Sequence, residues 1–169
     1  MTPTIRVNNF TIVHKKSDGK AICSAPDFCK TLVGSAIVPI PYINIAYSKH
    51  LKKGSKTVKT DGASAAIKNC EFSTSFGDEP GVQKGVGSGT NKGWAKFSNY
   101  SFDVFIEGKN ACRLADPMQM NGNNPNTMAV AELQKNIGPN HILCKIFCWC
   151  ENGGKGGDFF TPQFDPSIA

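Results

Sequence analysis

The chain has 169 residues and is poor in the side chains that most enzymatic chemistry needs. It has three histidines, His14, His50 and His141. Each lies beside lysines, in a loop or at a segment start, so neither a nucleophile–base pairing nor a zinc-protease helix is legible. It also has only two arginines, Arg6 and Arg113, so the formal net charge of +6 rests on dispersed lysine. Nucleic-acid grooves cluster arginine and lysine with stacking aromatics. The expectation here is a basic surface with no nucleic-acid partner. Any apolar run near the ~18 residues of a membrane helix is missing, so no stable membrane insertion is expected. Residues 1–9 lack the apolar stretch of a secretory signal, so the chain is expected to start in the cytoplasm. In that reducing compartment, an odd total of seven cysteines points to buried thiols or a metal site rather than to a disulfide framework.

Glycine and proline, by contrast, are plentiful at 17 and 10, and with the short apolar segments they predict many turns and short strands. The most constrained stretch is Val38-Pro39-Ile40-Pro41-Tyr42-Ile43-Asn44-Ile45-Ala46. Each proline fixes φ, removes a donor and pushes its predecessor out of the helical region. The stretch must be extended, and it cannot lie mid-sheet. Its apolar side chains predict burial, either as a brace or as an edge docked on a partner.

Before this ribbon, short strands are expected at 4–7 and 10–13, a turn at Ser17-Asp18-Gly19, and a loop carrying Cys23, Asp27 and Cys29. After it, residues 46–56 read as a basic loop. Lys56 to Thr60 alternates as a strand, Asp61-Gly62 is a hairpin turn signal, and Ala63 to Ile67 returns. The glycines of 77–93 invite a phosphate loop. No Gly-Lys-Ser/Thr closes it and no helix pattern follows, so that reading is rejected. Strands follow at 94–97 and 101–107, the latter with Phe102, Val104 and Ile106 on one face. A polar loop runs over 116–126. Thr127 caps a short helix over 128–137, an apolar cysteine-rich segment spans 141–150, and the tail is rich in Gly, Pro and Asp.

Candidate chemistry is sparse. Asp78-Glu79 could be paired carboxylates, but Pro80-Gly81 favours a tight turn. Asp103 and Glu107 read as the solvent face of a strand. His141, Cys144, Cys148 and Cys150 hold soft ligands at close spacing. Ile, Leu, Phe and Trp lie between them, so packing competes with zinc.

Taken together, these motifs resemble the PAAR-like domain family marked by a Pro-Ile-Pro-Tyr signature. The match covers roughly residues 10–126. It includes Asp18 to Ala21, Ala25 to Thr31, Val38 to Tyr42 with Asn44 to Ala46, and Gly54 to Val58. It continues through Ser75 to Gly81, Gly85 to Thr90, Gly93 to Phe97, Phe102 to Val104, Glu107 to Lys109, Cys112 to Asp116 and Met120-Asn121. The resemblance implies a mainly β, cone-shaped spike-tip domain over 1–126, with 127–169 as a helical, cysteine-rich appendage and tail. It implies a non-catalytic tip that caps the trimeric VgrG-type spike of type VI secretion or a related contractile injection system. One copy would sit on each spike, carrying or linking an effector or toxin domain, with a chaperone as a further partner. Such a tip resides in the bacterial cytoplasm before firing and leaves with the spike. The signature residues carried over are Pro39, Ile40, Pro41, Tyr42, Asn44, Asp78, Glu79, Gly81, Gly87, Asp103, Arg113 and Asp116. PAAR tips commonly hold zinc with histidines and a cysteine. Where related sequences carry histidine, this chain has Leu114, Met120 and Gly122, leaving Cys29, Cys70 and Cys112 as thiol candidates. The rival expectation is a small secreted antibacterial toxin or hydrolase, or the N-terminal delivery fragment of one.

Overall fold

The computed structural model describes residues 3–122, residue 124 and the backbone of 130–134. All lie in a compact unit over Met1–Asn136. The architecture is antiparallel β, as the turn-rich composition predicts. It opens with a two-stranded ribbon, β1 (Arg6–Val7) and β2 (Phe10–Thr11), turned at Asn8 and Asn9, whose φ values are 50° and 66°. Next come β3 (Gly19–Ile22), the long pair β4 (Asp27–Val33) and β5 (Ala36–Tyr42), β6 (Ile45–Tyr47), a 3₁₀ turn at Ser48–His50, and β7 (Leu51–Lys52). The hairpin of β8 (Lys59–Thr60) and β9 (Ala63–Ser64) turns on Asp61-Gly62 as expected. Both turn residues have positive φ, 48° and 69°, which fits a type I′ turn. The remaining strands are β10 (Glu71–Phe72), β11 (Ser75–Phe76), β12 (Ala95–Phe97), the hairpin β13 (Phe105–Ile106) and β14 (Lys109–Asn110), β15 (Pro117–Gln119) and β16 (Val130–Gln134).

Eight of these form one antiparallel sheet in the order β11-β6-β3-β16-β15-β12-β10-β7. Its main core is built from small and aromatic side chains. Val13, Ala21, Ala46, Ala66, Cys70, Ala95 and Cys112 let backbones approach closely. Phe72 and Phe97 fill the centre edge to face, with ring centroids 5.7 Å apart. A smaller cluster of Val7, Ile12, Ala65 and Ala111 is covered by Val104 and Ile106 and joins the β1–β2 ribbon to β13.

Several local expectations are corrected. The loop expected around Asp27 and Cys29 is strand β4, because β5 offers it a full seven-residue register. Residues expected as a basic loop over 46–56 contribute β6 and β7, and the polar loop at 116–126 contributes β15. Regular strand over 101–107 is limited to Phe105–Ile106, and Phe102 stands 81% exposed. The helix expected over 128–137 is replaced at Val130–Gln134 by β16, which pairs with β15 on one side and β3 on the other. Both of those edges carry backbone donors and acceptors that need partners, and this requirement overrides local helix propensity. Of the appendage expected over 127–169, only this strand lies among the described residues. His141, Cys144, Cys148 and Cys150 lie outside them.

The proline ribbon is extended, as its φ constraints require, but its Val38–Tyr42 part is not buried, whereas Asn44 and Ala46 beyond it are. Among the described residues β5 pairs only with β4, and it shows solvent-exposed side chains along most of its length. Gly34-Ser35 close the hairpin, with Gly34 at φ 61°.

Candidate functional site

Strand β4 alternates, and the alternation sorts its residues onto two surfaces. Asp27, Cys29 and Thr31 point inward and are buried, whereas Phe28, Lys30 and Leu32 point outward. The inward set meets a glycine-rich loop. Cys29 bridges to Gly85, and the Val86 N–H donates to the Phe28 carbonyl at 2.7 Å. The glycines are needed for this approach. A Cβ on Gly85 would lie 2.5 Å from an Asp27 carboxylate oxygen, and one on Gly81 would lie 2.3 Å from the Cys29 Cβ. The loop therefore closes on the protein's own carboxylate, which accounts for its glycines without a phosphate. Gly87, at the exposed turn of the same loop, is not buried.

Asp78 reaches this inward face from the far end of the loop. Its carbonyl accepts the Gly81 N–H at 2.9 Å, forming the tight turn that Pro80-Gly81 predicts. Glu79 turns away to solvent and accepts the Gly77 N–H at 2.7 Å. Asp78 is thus paired with Asp27 rather than with its sequence neighbour. Asn121 joins the two. Its Nδ2 donates to Asp27 Oδ2 at 2.7 Å and to Asp78 Oδ2 at 2.9 Å. The amide orientation is fixed because its Oδ1 accepts the Gly93 backbone N–H at 2.7 Å. The Lys92 N–H lies 3.1 Å from each Asp78 oxygen, and the Ser88 hydroxyl donates to Asp27 at 2.6 Å. Asn44 Nδ2 donates to the Ser75 hydroxyl at 3.1 Å, and that hydroxyl reaches Asn121 Oδ1 at 3.4 Å. Asp27, Asn44, Asp78 and Asn121 have no solvent exposure.

The cluster of Asp27, Cys29 and Asp78 offers one sulfur and two carboxylate ligand atoms within 4.8 Å of one another. Asp27 Oδ1 is buried without a hydrogen-bond partner. A cation between the carboxylates would nevertheless have to displace the Asn121 NH₂, which is pinned from behind by Gly93. In the metal-free site, burial, with Asp27 and Asp78 adding to it, pushes the Cys29 thiol up to about 12. As arranged, the residues do not fit zinc; an amide fills the space a metal would take. Cys70 and Cys112 lie in the main core and do not join Cys29. Leu114, Met120 and Gly122, at the histidine-bearing places of related sequences, are buried.

Another part of the signature forms a separate network. Arg113 pairs with Asp116 at 3.0 Å and donates to Asn8 Oδ1 at 2.8 Å. Asn8 Nδ2 donates to Asp103 at 2.9 Å, and Ser101 donates to the same carboxylate at 2.9 Å. Those donors, that of Asn8 first, hold the Asp103 carboxyl below the usual range. This network locks the β1–β2 turn to the loop before β13.

The outward surface of the β4–β5 hairpin is apolar apart from Lys30. Cross-strand register places Phe28 opposite Pro41, Lys30 opposite Pro39 and Leu32 opposite Ile37. Phe28, Leu32 and Ile37 are 42%, 58% and 53% exposed, and Val86 beside Phe28 is 59% exposed. Ile40 and Tyr42 lie on the inward side, where the Tyr42 and Thr31 hydroxyls are 2.8 Å apart. Sequence reasoning singled out the prolines but missed Asp27, Asn121 and the Phe28–Leu32–Ile37 surface. The alternation of Asp27-Phe28-Cys29-Lys30-Thr31-Leu32 was the available signal.

A family model described as "Toxin PAAR-like domain" matches residues 20–127. Among curated proteins, the chain is 36% identical over 123 residues to the DNase toxin Tse7 of Pseudomonas aeruginosa. That match covers 69% of this chain and 32% of the relative, so the chain spans about a third of that protein's length. No solved structure matches.

Proposed function

The chain belongs to the toxin PAAR-like domain family, and from that membership we propose that it is a non-catalytic tip on the end of a trimeric VgrG-like spike. In this role one copy caps each spike of a type VI secretion or related contractile injection system, carries or links an effector, and leaves the bacterial cytoplasm with it. The observation that supports the reading best is the outward surface of the β4–β5 hairpin. An exposed apolar surface of Phe28, Leu32, Ile37, Pro39 and Pro41 suits a docking contact. The contact would be made surface to surface. In a hairpin closed by two residues, the pair Val33–Ala36 exchanges ladder bonds and every second pair repeats them. Pro39 and Pro41 fall on the intervening pairs, so their nitrogens face the outer edge of β5. That edge lacks donors at two positions, which disfavours strand addition and leaves side chains to make the contact.

The reading is tested by co-purifying the full chain with the spike trimer of the same bacterium. Leu32→Glu with Ile37→Glu is expected to weaken capture about tenfold or more at unchanged Tm. Wild-type capture by that variant would remove the hairpin from the interface.

A second reading is supported by the relative's name. The stretch similar to the DNase toxin amounts to 32% of that protein, as a delivery portion of a longer toxin would. The Asp27–Cys29–Asp78 group is closed to solvent, so it is unsuited to hydrolysis. Absence of DNA cleavage by the purified full chain is expected on this second reading, and cleavage would contradict it.

A further inference from the structure

One cation stands inside the apolar surface of the β4–β5 hairpin. Alternation along β4 turns Lys30 outward between Phe28 and Leu32, and the cross-strand register sets Pro39 opposite it. The surface continues past β4 onto the glycine-rich loop, where the Cys29–Gly85 bridge brings the exposed Val86 level with Phe28. Phe28, Pro41 and Val86 therefore flank Lys30 on one side, and Leu32 and Ile37 on the other. The backbone of Lys30 is held in place. Its N–H donates to the Lys84 carbonyl at 3.0 Å, and its carbonyl accepts the Gln83 N–H at 3.3 Å. Its ammonium makes no ion pair or hydrogen bond among the described residues. The segments that build this surface supply no counter-charge. Residues 28–42 and 82–86 contain neither Asp nor Glu, and Asp27, at the start of β4, is buried on the inward side. Glu79, earlier in the loop, accepts the Gly77 N–H and makes no ion pair with Lys30.

This placement constrains the partner that covers the hairpin. Contact through Phe28, Leu32 and Ile37 strips water from Lys30 as well, because they surround it. A lysine ammonium is a compact, strongly hydrated charge, and burying it unpaired is strongly unfavourable. The covering surface must therefore hold an acceptor opposite Lys30. A carboxylate supplies the counter-charge that a neutral acceptor lacks, and it makes the stronger hydrogen bond. Resting on the tip reading, we infer that the end of the spike trimer presents a carboxylate to Lys30 inside an apolar collar. Lys30 then selects among spikes. A spike end with a cation at that point repels it, and one with only apolar groups there leaves the ammonium desolvated and unpaired.

The test is capture of the full chain by the purified spike trimer of the same bacterium. Lys30→Met keeps an apolar stem and removes the charge. It is expected to weaken capture about thirtyfold or more, because the spike carboxylate is then buried unpaired. Lys30→Arg keeps the charge and is expected to retain most of the capture. Lys30 is exposed, so the Tm of both variants should match wild type, which separates lost docking from lost folding. Acids at the spike end are then replaced by their amides, one at a time. One of them is expected to weaken capture of the wild-type chain while costing Lys30→Met nothing further. Capture of Lys30→Met at or above the wild-type level overturns the inference and leaves the tip reading standing, since the ammonium then reaches water at the rim. A loss in Lys30→Met that couples to no spike acid also overturns it, since neutral acceptors then hold the ammonium. No capture of the wild-type chain removes the tip reading itself, and the inference with it.

Discussion

Asn121 is the residue on which the buried polar cluster depends. It sits at φ 49°, a left-handed conformation that asparagine tolerates better than most residues. Its amide bonds two buried carboxylates that lie 51 residues apart in sequence (78 − 27). Asn121→Ala is expected to cost about 3 kcal/mol in urea unfolding, because it leaves buried carboxylates short of donors. A cost indistinguishable from that of a surface substitution would contradict the amide's role. A metal chelator is expected to shift the Tm of wild type and of Cys29→Ser equally, since the Asn121 amide bridges the two carboxylates; a drop seen in wild type and absent from Cys29→Ser would show that a metal is held there. Glu107 gives a prediction of opposite character, because its carboxylate is exposed. The N–H groups of Lys56, Val58 and Thr57 lower its pKa from 4.5 to about 2. An acid whose pKa is depressed on folding adds stability above its unfolded value and loses it as pH falls through the folded one. Glu107→Gln is therefore expected to melt below wild type at pH 7. The difference should shrink between pH ~4.5 and ~2; a difference constant over that range would contradict the sign.

Among the elements, the β4–β5 hairpin departs most from its sequence expectation. The prolines announced an extended, donor-poor segment, and that is what β5 is. They could not announce its exposure, because burial depends on what packs outside it, and β4 is its only strand partner among the described residues. The glycine loop shows the same division. Its turn at Asp78–Gly81 follows from local φ preferences, whereas its closure on Asp27 depends on a strand some 50 residues earlier. Two substitutions separate these effects. Gly85→Ala should destabilise the fold, since its Cβ would meet the buried Asp27 carboxylate, and thermal unfolding checks it. Pro39→Val with Pro41→Val should restore donors on the β5 edge and raise self-association in analytical ultracentrifugation. A variant as monomeric as wild type would show that the prolines do not guard that edge.

At the scale of the whole molecule, the class of the fold was legible and its wiring was not. Many glycines and prolines, a hairpin turn at Asp61-Gly62 and short apolar runs indicate antiparallel β structure. The order of the eight-stranded sheet places β16, late in the chain, between β3 and β15. No local pattern in 130–134 encodes that placement, because the demand comes from two edges elsewhere. The signature residues likewise divide into an inward cluster with Asn44, Asp78 and Gly81, a network with Asp103, Arg113 and Asp116, and the hairpin prolines. Two of these groups hold the fold, and the third lies on an exposed surface. Electron microscopy of the full chain mixed with the trimeric spike of the same bacterium tests that division most directly. The account predicts one copy at the end of each trimer, with Phe28, Leu32 and Ile37 in the contact. Absence of the chain from the spike end, or attachment through another surface, would contradict it.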